Sequence, residues 1–514
     1  MAGTSGSGGS APGVCEPGTA RCGDDCIDLR SAPQHCGSCA NDCGAQSSCI
    51  NGKCACQATS LELLSHTPKN GAIGISASST IEAELNCAFD AKRVNAGNAR
   101  LYGSFGGPIP VTFPQPAAAH ELWLQSAARV GRAEAYFPGE RVSVWLGATL
   151  GTSQLLFQPF LWQFIADVGP AAAGKFVPGR SPLPAVQQGR VMVLGDLDAD
   201  GDLDLIVRGE TFLLVFRNRG DATFDDAEVL DTLGAPVLGD VDGDGDLDMA
   251  DGAQLFLNDG QGRFAAGPAA VGCVALGDLD GDGDLDCLAN VAYTPQNELL
   301  GRVLFNSGDG NMQQGGDAPV GFQCQLWDLD RDGDLDAVCV SPVVTGVNVL
   351  MNDGKGSFTA SAQRLGPPGS RGIALGDVDA DGDIDVLVSL WLGAGRYAAN
   401  QLYLNDGSGR FELGEIVGTD GGDIALADID GDRDLDVVYS HLTLTASYGP
   451  FKPAAIHLND GKGHFSPSQE TLGDPAFQWF ELGDLDGDRD LDAFVFHQVG
   501  SAAGNYGSVW LNQN

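Results

Sequence analysis

The sequence predicts an all-β protein: a seven-bladed β-propeller preceded by a β-sandwich and a small disulfide-rich module. Three observations carry this. An acidic nonapeptide, D-x-D-x-D-G-D-x-D at 196–204, returns at 240–248, 278–286, 328–336, 377–385, 428–436 and 484–492, with Arg replacing the Gly in the last two. The first Asp of successive copies stand 38 to 56 residues apart, which fits one four-stranded blade per copy. Nine of the 14 Cys crowd into residues 15–56, where almost no apolar side chains exist to form a core, so disulfides must hold that stretch.

Within a repeat, a short apolar run ending in Gly leads into the loop (Val191–Gly195, Ile373–Gly376). A strand-like run follows it (Leu205–Val207, Val386–Val388, Ala493–Phe496), so each loop joins the two strands of a hairpin. After a connection of variable length comes a third strand ending in a turn, as in Leu257-Asn-Asp-Gly-Gln-Gly-Arg-Phe264, where Asn-Asp-Gly supplies the positive-φ positions and a fourth strand starts at the Phe. The seventh repeat reaches its third strand at Val509–Asn512 with no fourth to follow. Ala173-Gly-Lys-Phe176 has the form of that missing fourth strand and stands 20 residues before Asp196. The chain from about 174 is therefore expected to complete the last blade and remove a sheet edge.

Each loop presents five aspartates: Asp196, Asp198, Asp200, Asp202 and Asp204; Asp240, Asp242, Asp244, Asp246 and Asp248; Asp278, Asp280, Asp282, Asp284 and Asp286; Asp328, Asp330, Asp332, Asp334 and Asp336; Asp377, Asp379, Asp381, Asp383 and Asp385; Asp428, Asp430, Asp432, Asp434 and Asp436; Asp484, Asp486, Asp488, Asp490 and Asp492. Carboxylates at positions 1, 3, 5 and 9 can converge on one ion while position 7 offers its backbone carbonyl. This hard, all-oxygen set suits Ca²⁺. An EF-hand would need a bidentate Glu at position 12, where this chain has Val207, Asp251, Ala289, Cys339, Val388, Tyr439 and Val495. Up to seven Ca²⁺ are expected, structural rather than catalytic. Position 6 is Gly201, Gly245, Gly283, Gly333 and Gly382, then Arg433 and Arg489. If it takes positive φ, a side chain there costs about 1 kcal/mol, and Arg adds a cation beside the ion. The sixth and seventh loops are thus expected to be the weakest.

Residues 1–14 read as a Gly/Ser linker, 15–57 as the cysteine module, 58–170 as the sandwich and 171–514 as the propeller. In 58–170, alternating runs such as Ile81–Leu85 and Val142–Leu146 are punctuated by Pro68-Lys-Asn-Gly71 and Pro138-Gly139. Nine cysteines is an odd number, so one needs a partner outside the module, and Cys87 is the only other Cys before residue 273; a Cys56–Cys87 bridge is one hypothesis. Zinc is the competing reading, from the spacings Cys36-x-x-Cys39 and Cys22-x-x-x-Cys26. Cys273, Cys287, Cys324 and Cys339 flank the third and fourth loops; they read either as two disulfides, with Cys324–Cys339 across one hairpin, or as buried thiols.

The string Cys26-Ile-Asp-Leu…His35-Cys-Gly-Ser-Cys39…Cys43…Cys49…Gly52-Lys-Cys54 resembles the stigma-specific cysteine-rich family. Thr67-Pro-Lys-Asn-Gly71…Ser79-Thr-Ile81…Phe137-Pro-Gly-Glu140…Trp162-Gln-Phe164 resembles the bacterial Ig-like domain of S-layer proteins, usually a spacer or adhesion module. Residues 172–514 resemble the FG-GAP/VCBS repeats of integrin-alpha-like propellers, which implies that fold and calcium in its loops, but names no ligand.

The formal charge is -41, and the seven loops hold 35 Asp. Seven Ca²⁺ would offset about 14 of those charges and leave an acidic surface, which argues against nucleic acid and anionic membranes as partners. No apolar run reaches the roughly 18 residues of a membrane-spanning helix. The first residues lack a secretion signal; the cysteine density still predicts an exported protein, at the cell surface or outside it, with its signal trimmed or upstream. H-E-x-x-H, G-x-S-x-G and phosphate-loop motifs are missing, so no enzyme is expected.

The expected function is a calcium-stabilised adhesion or interaction protein, monomeric, that binds a protein or glycan on the propeller face opposite the calcium loops. The connections between second and third strands line that face and carry Tyr293, Trp391, Arg396, Tyr397, His441, Tyr448, Lys452 and Tyr506. The alternatives are a carbohydrate-binding lectin and a polysaccharide-active enzyme such as a lyase.

Overall fold

The structure is a computed structural model. It describes residues 19–513 apart from short segments, the longest being 180–190, 294–298, 392–396, 442–451 and 499–505. The chain is all-β. Small two-stranded ribbons, Ala20–Cys22 with Asp25–Ile27 and Ser47–Ile50 with Lys53–Cys56, form the first part. Disulfides Cys22–Cys39, Cys36–Cys49 and Cys43–Cys54 staple it. The zinc reading fails here, because Cys22, Cys26, Cys36 and Cys39 are all spent in disulfides. Cys56–Cys87 ties this module to the next unit.

That unit is two four-stranded antiparallel sheets. One orders Val111–Thr112, Glu121–Ser126, Ile81–Leu85 and Leu63–Thr67; the other orders Phe160–Ile165, Arg141–Leu146, Ala99–Gly103 and Gly107–Ile109. The strict alternation of Ile81–Leu85 puts Ile81, Ala83 and Leu85 inside and Glu82 and Glu84 outside. Those residues share one core with Leu101, Leu124, Val142, Val144, Trp162 and Phe164. A buried ion pair stiffens the end of this sandwich nearest the repeats. Arg129 donates to both oxygens of Glu140, which also accepts from the backbone N–H groups of Phe105, Gly106 and Phe137.

Seven four-stranded antiparallel sheets occupy 175–513. Six consist of consecutive strands. In the remaining one, Phe477–Gly483, Asp492–Gln498 and Tyr506–Gln513 are joined by Lys175–Pro178, with Phe176 opposite Asn512. Neighbouring sheets share apolar clusters, and one cluster packs Leu194, Leu205 and Phe216 of the first against Phe494, Phe496 and Val509 of the last. A hydrogen-bond cycle follows the same path. The asparagine that opens each third-strand turn donates its Nδ2 to the second-position carbonyl of the preceding loop: Asn258 to Leu197, Asn306 to Val241, Asn352 to Leu279, Asn405 to Leu329, Asn459 to Val378 and Asn512 to Ile429. Asn218 of the first sheet donates to Leu485 of the last loop and completes the cycle. Two further disulfides, Cys273–Cys287 and Cys324–Cys339, link first and second strands of the third and fourth sheets.

The sandwich rests on the loops of this ring. The Asp196 N–H donates to the Phe105 carbonyl and the Asp240 N–H to the Tyr102 hydroxyl; Asn70 donates to the Asp328 carbonyl; Gly71 packs on Asp377 and Ile384. Arg100 reaches the third loop, Asp167 the sixth and Glu134 the seventh. All seven loops therefore meet residues between 70 and 169.

Candidate metal centre

Each loop curls around its first carboxylate. Asp240 accepts from the N–H of Gly243 at 2.8 Å and of Gly245 at 3.1 Å, Asp278 from Gly281 and Gly283 at the same distances, and Asp428 from Gly431 and Arg433. This closed path forces left-handed backbone at two positions. Position 6 has φ between 75° and 102° in all seven loops, including Arg433 (75°) and Arg489 (81°). Position 4 is left-handed as well: Gly243, Gly281, Gly431 and Gly487, but Ala199 (57°), Arg331 (65°) and Ala380 (61°). The expectation that only the last two loops bear a side chain on strained backbone is therefore corrected. Five loops each carry one, and only those at 240–248 and 278–286 have Gly at both positions.

The curl gathers oxygens. One carboxylate oxygen from each of Asp196, Asp198 and Asp200 lies within 4.8 Å of the others; so it is for Asp278, Asp280 and Asp282, for Asp328, Asp330 and Asp332, and for Asp240, Asp242 and Asp248. Several of these oxygens are buried with no donor among the described residues, including Oδ1 of Asp196, Asp198, Asp328, Asp330, Asp377, Asp379 and Asp430. A buried carboxylate oxygen facing other carboxylates, with no N–H to accept from, is stabilised by a cation. An all-oxygen pocket of this kind fits a hard divalent ion. Burial pushes the first Asp of every loop up, to about 8 for Asp328, about 7 for Asp196, Asp278 and Asp377, and about 6 for Asp240, Asp428 and Asp484. Neighbouring carboxylates add to the rise.

Position 9 has a further duty that the spacing did not reveal. In every loop one of its oxygens accepts from the position-2 N–H and the other from the N–H of the turn asparagine; for Asp204 the donors are Leu197 at 3.1 Å and Asn218 at 2.8 Å. The same pair of bonds recurs for Asp248, Asp286, Asp336, Asp385, Asp436 and Asp492. These carboxylates pin the loop to the third strand. Asp248 also shares an oxygen cluster with Asp240 and Asp242, at positions 1 and 3. The side chains at position 7 turn toward the glycine of the Asn-x-Gly turn, as Asp246 does toward Gly260 and Asp284 toward Gly308. An ion in the loop would then meet position 7 through its backbone carbonyl, as the sequence pattern expects.

The arginines at position 6 do not act as cations in the metal pocket. Arg433 pairs with Asp167 at 3.4 Å and Arg489 with Glu134 at 2.6 Å, both partners lying outside the loops. Arg331, at position 4 of the fourth loop, reaches across to Asp383 and to the Asp381 carbonyl of the fifth.

Of the eight residues singled out on the other face, Arg396 and Tyr448 lie outside the described residues. Tyr293, Trp391 and Tyr397 fall at strand ends, with Trp391 in register with Tyr397. Lys452 is exposed. His441 is buried, its ring 5.3 Å from that of Tyr439, so it packs rather than presents. Tyr506 stacks on His497 at 4.5 Å and donates to Asp474. The residues that sequence reasoning missed are the turn asparagines and the sandwich groups that touch the loops. The former had a signal in their recurrence. The latter, Arg100, Tyr102 and Arg132 among them, had none, because their partners are far away in the chain.

Residues 196–251 and 328–388 match the model of the FG-GAP-like repeat family. The chain thus carries FG-GAP-like repeats, in agreement with the resemblance drawn from the loops. No curated protein matches the sequence. Solved structures resembling the chain include BBS1N in complex with ARL6DN, at 11% identity and TM-score 0.40 over 67% of this chain and 98% of that one. Others are Sqt1 of Saccharomyces cerevisiae, at 11% and 0.38 over 89% and 99%, and an auxiliary nutrient binding protein from Bacteroides thetaiotaomicron, at 10% and 0.29 over 88% and 98%. Likenesses this distant carry no argument about function.

Proposed function

We propose that the chain is a calcium-stabilised, seven-bladed propeller that works outside the cell as an interaction protein, with an Ig-like domain docked on its loop face. The observation that carries this reading is the contact of that domain with all seven loops. With the loop face covered, the opposite face is left to meet a protein or glycan. The disulfides support an oxidising environment, and the buried donorless oxygens support Ca²⁺ in the loops. Capture of cell-surface protein by the full chain, with and without chelator, tests the reading. Partners retained equally after Asp196→Asn and Asp278→Asn, with calcium titration showing no bound ion, would sink it.

A lectin is the second reading, favoured by the aromatic stack of Tyr506 on His497 at the end of an opposite-face strand. Glycan-array binding lost in Trp391→Ala would move the assignment there.

A further inference from the structure

We infer that the sandwich is a clamp that sets the metal affinity of individual loops by holding the peptide between positions 6 and 7; this rests on the calcium reading above. The position-6 carbonyl is engaged from outside the repeats in four loops. Arg132 donates to the Gly201 carbonyl at 2.9 Å, Arg100 to Gly283 at 2.7 Å, the Leu161 N–H to Gly333 at 2.7 Å, and the Gly169 N–H to Arg489 at 2.6 Å. An asymmetric domain thus addresses the same backbone atom of four quasi-equivalent loops. In the sixth and seventh it also grips the position-6 side chain, through Asp167 and Glu134.

A bond to the position-6 carbonyl fixes the peptide plane that precedes the position-7 carbonyl, the backbone group that the calcium reading assigns to the ion. The loop also contains two left-handed residues and five mutually repelling carboxylates, so without an ion it gains by opening. Holding one peptide in advance lowers the ordering cost of binding. The base of the clamp is stiff: Glu140 fixes the backbone of Phe105 and Phe137, and the Arg132 guanidinium lies 4.2 Å over the Phe137 ring. By linkage, a bound ion must strengthen the docking of the sandwich by the factor that docking strengthens the ion.

Charge alone predicts the opposite sign, which makes the inference testable. Arg100 stands 3.8 Å from Asp284. If it acted only as a nearby cation, removing it would tighten Ca²⁺; if it acts as a clamp, removing it loosens Ca²⁺. The experiment is hydrogen exchange of the full chain across a Ca²⁺ titration, comparing wild type with Arg100→Ala and with Arg132→Ala. In Arg100→Ala, protection over 278–286 should need about five-fold more calcium, with 240–248 unchanged; Arg132→Ala should do the same at 196–204. The amides of Leu161 and Gly169, which donate to the ring, should lose protection as wild type is stripped of calcium. Loops that protect with calcium at an unchanged or lower concentration in both variants overturn the clamp and leave the calcium reading intact. A wild-type chain whose loops ignore calcium overturns both.

Discussion

The loop at 278–286 and the loop at 377–385 share one motif and differ in what surrounds it. The first has Gly281 and Gly283 at its left-handed positions and Arg100 holding its backbone. The second has Ala380 at φ 61°, and its Asp383 is engaged by Arg331 of the loop before it. A side chain on left-handed backbone costs about 1 kcal/mol. The ion pair at Asp383 has its counterpart in Arg100 with Asp284, so it does not separate the two loops. Chemically similar copies are therefore made unequal by Ala380 where the first loop has Gly281 and by the hold of Arg100 on the Gly283 carbonyl, and the inequality is a matter of backbone and neighbours, since the carboxylates are the same.

The largest expected effect concerns what both loops share. At ten-fold excess over Kd each ion adds about 1.4 kcal/mol, so seven sites contribute roughly 10 kcal/mol, and chelation should lower the melting temperature by about 10 to 15 degrees. A melt indifferent to EDTA would remove the premise of the comparison.

pH should next separate the two forms. Burial raises the folded-state pKa of Asp328 to about 8 and those of Asp196, Asp278 and Asp377 to about 7, against about 3.9 in the unfolded chain. Between those values the metal-free folded state binds more protons than the unfolded one, so metal-free stability should fall as pH rises from 5 to 8. A bound ion holds these carboxylates deprotonated, as they are in the unfolded chain, so the calcium-loaded melting temperature should stay nearly flat over the same range. Parallel melts in EDTA and in calcium check this, and equal slopes would contradict it.

Replacing one turn asparagine tests whether the loops are independent. Asn258→Ala removes the bonds to the Leu197 and Leu247 carbonyls and should cost about 1 to 3 kcal/mol. It should also loosen the loop at 196–204, in the neighbouring sheet. Denaturant melts and exchange at 196–204 read the two parts separately.

The smallest effect is the most specific. During calcium withdrawal the loop at 377–385 should open first and that at 278–286 last, and Ala380→Gly should tighten the former by about five-fold. Exchange that begins at 240–248 or 278–286 would refute the strain argument.

The repeats were legible in the sequence because their evidence is local. Hairpin, loop and turn each occupy a few adjacent residues, and recurrence turned a weak motif into a strong one; even the pairing of Phe176 with Asn512 follows from a strand that the seventh repeat lacks. Position 4 was also readable, since Gly243, Gly281, Gly431 and Gly487 mark it, but the motif's Gly at position 6 drew the argument away. The double duty of the position-9 carboxylates was hidden because an aspartate poised for metal and one poised for two N–H groups look alike in sequence. Docking of the sandwich was out of reach, as Tyr102 meets Asp240 and Asn70 meets Asp328 only after both units have folded.

Lys175–Pro178 is made early and waits for Tyr506–Gln513, which lies at the far end of the repeats. During synthesis the sandwich can fold first, while the strand just behind it stays an unpaired edge until the last repeat emerges. A truncation within Tyr506–Gln513 should therefore do more harm than its length suggests. It leaves that early strand without a neighbour and the first and last sheets without their shared core, so the shortened chain would present a sticky edge beside a domain that has already folded.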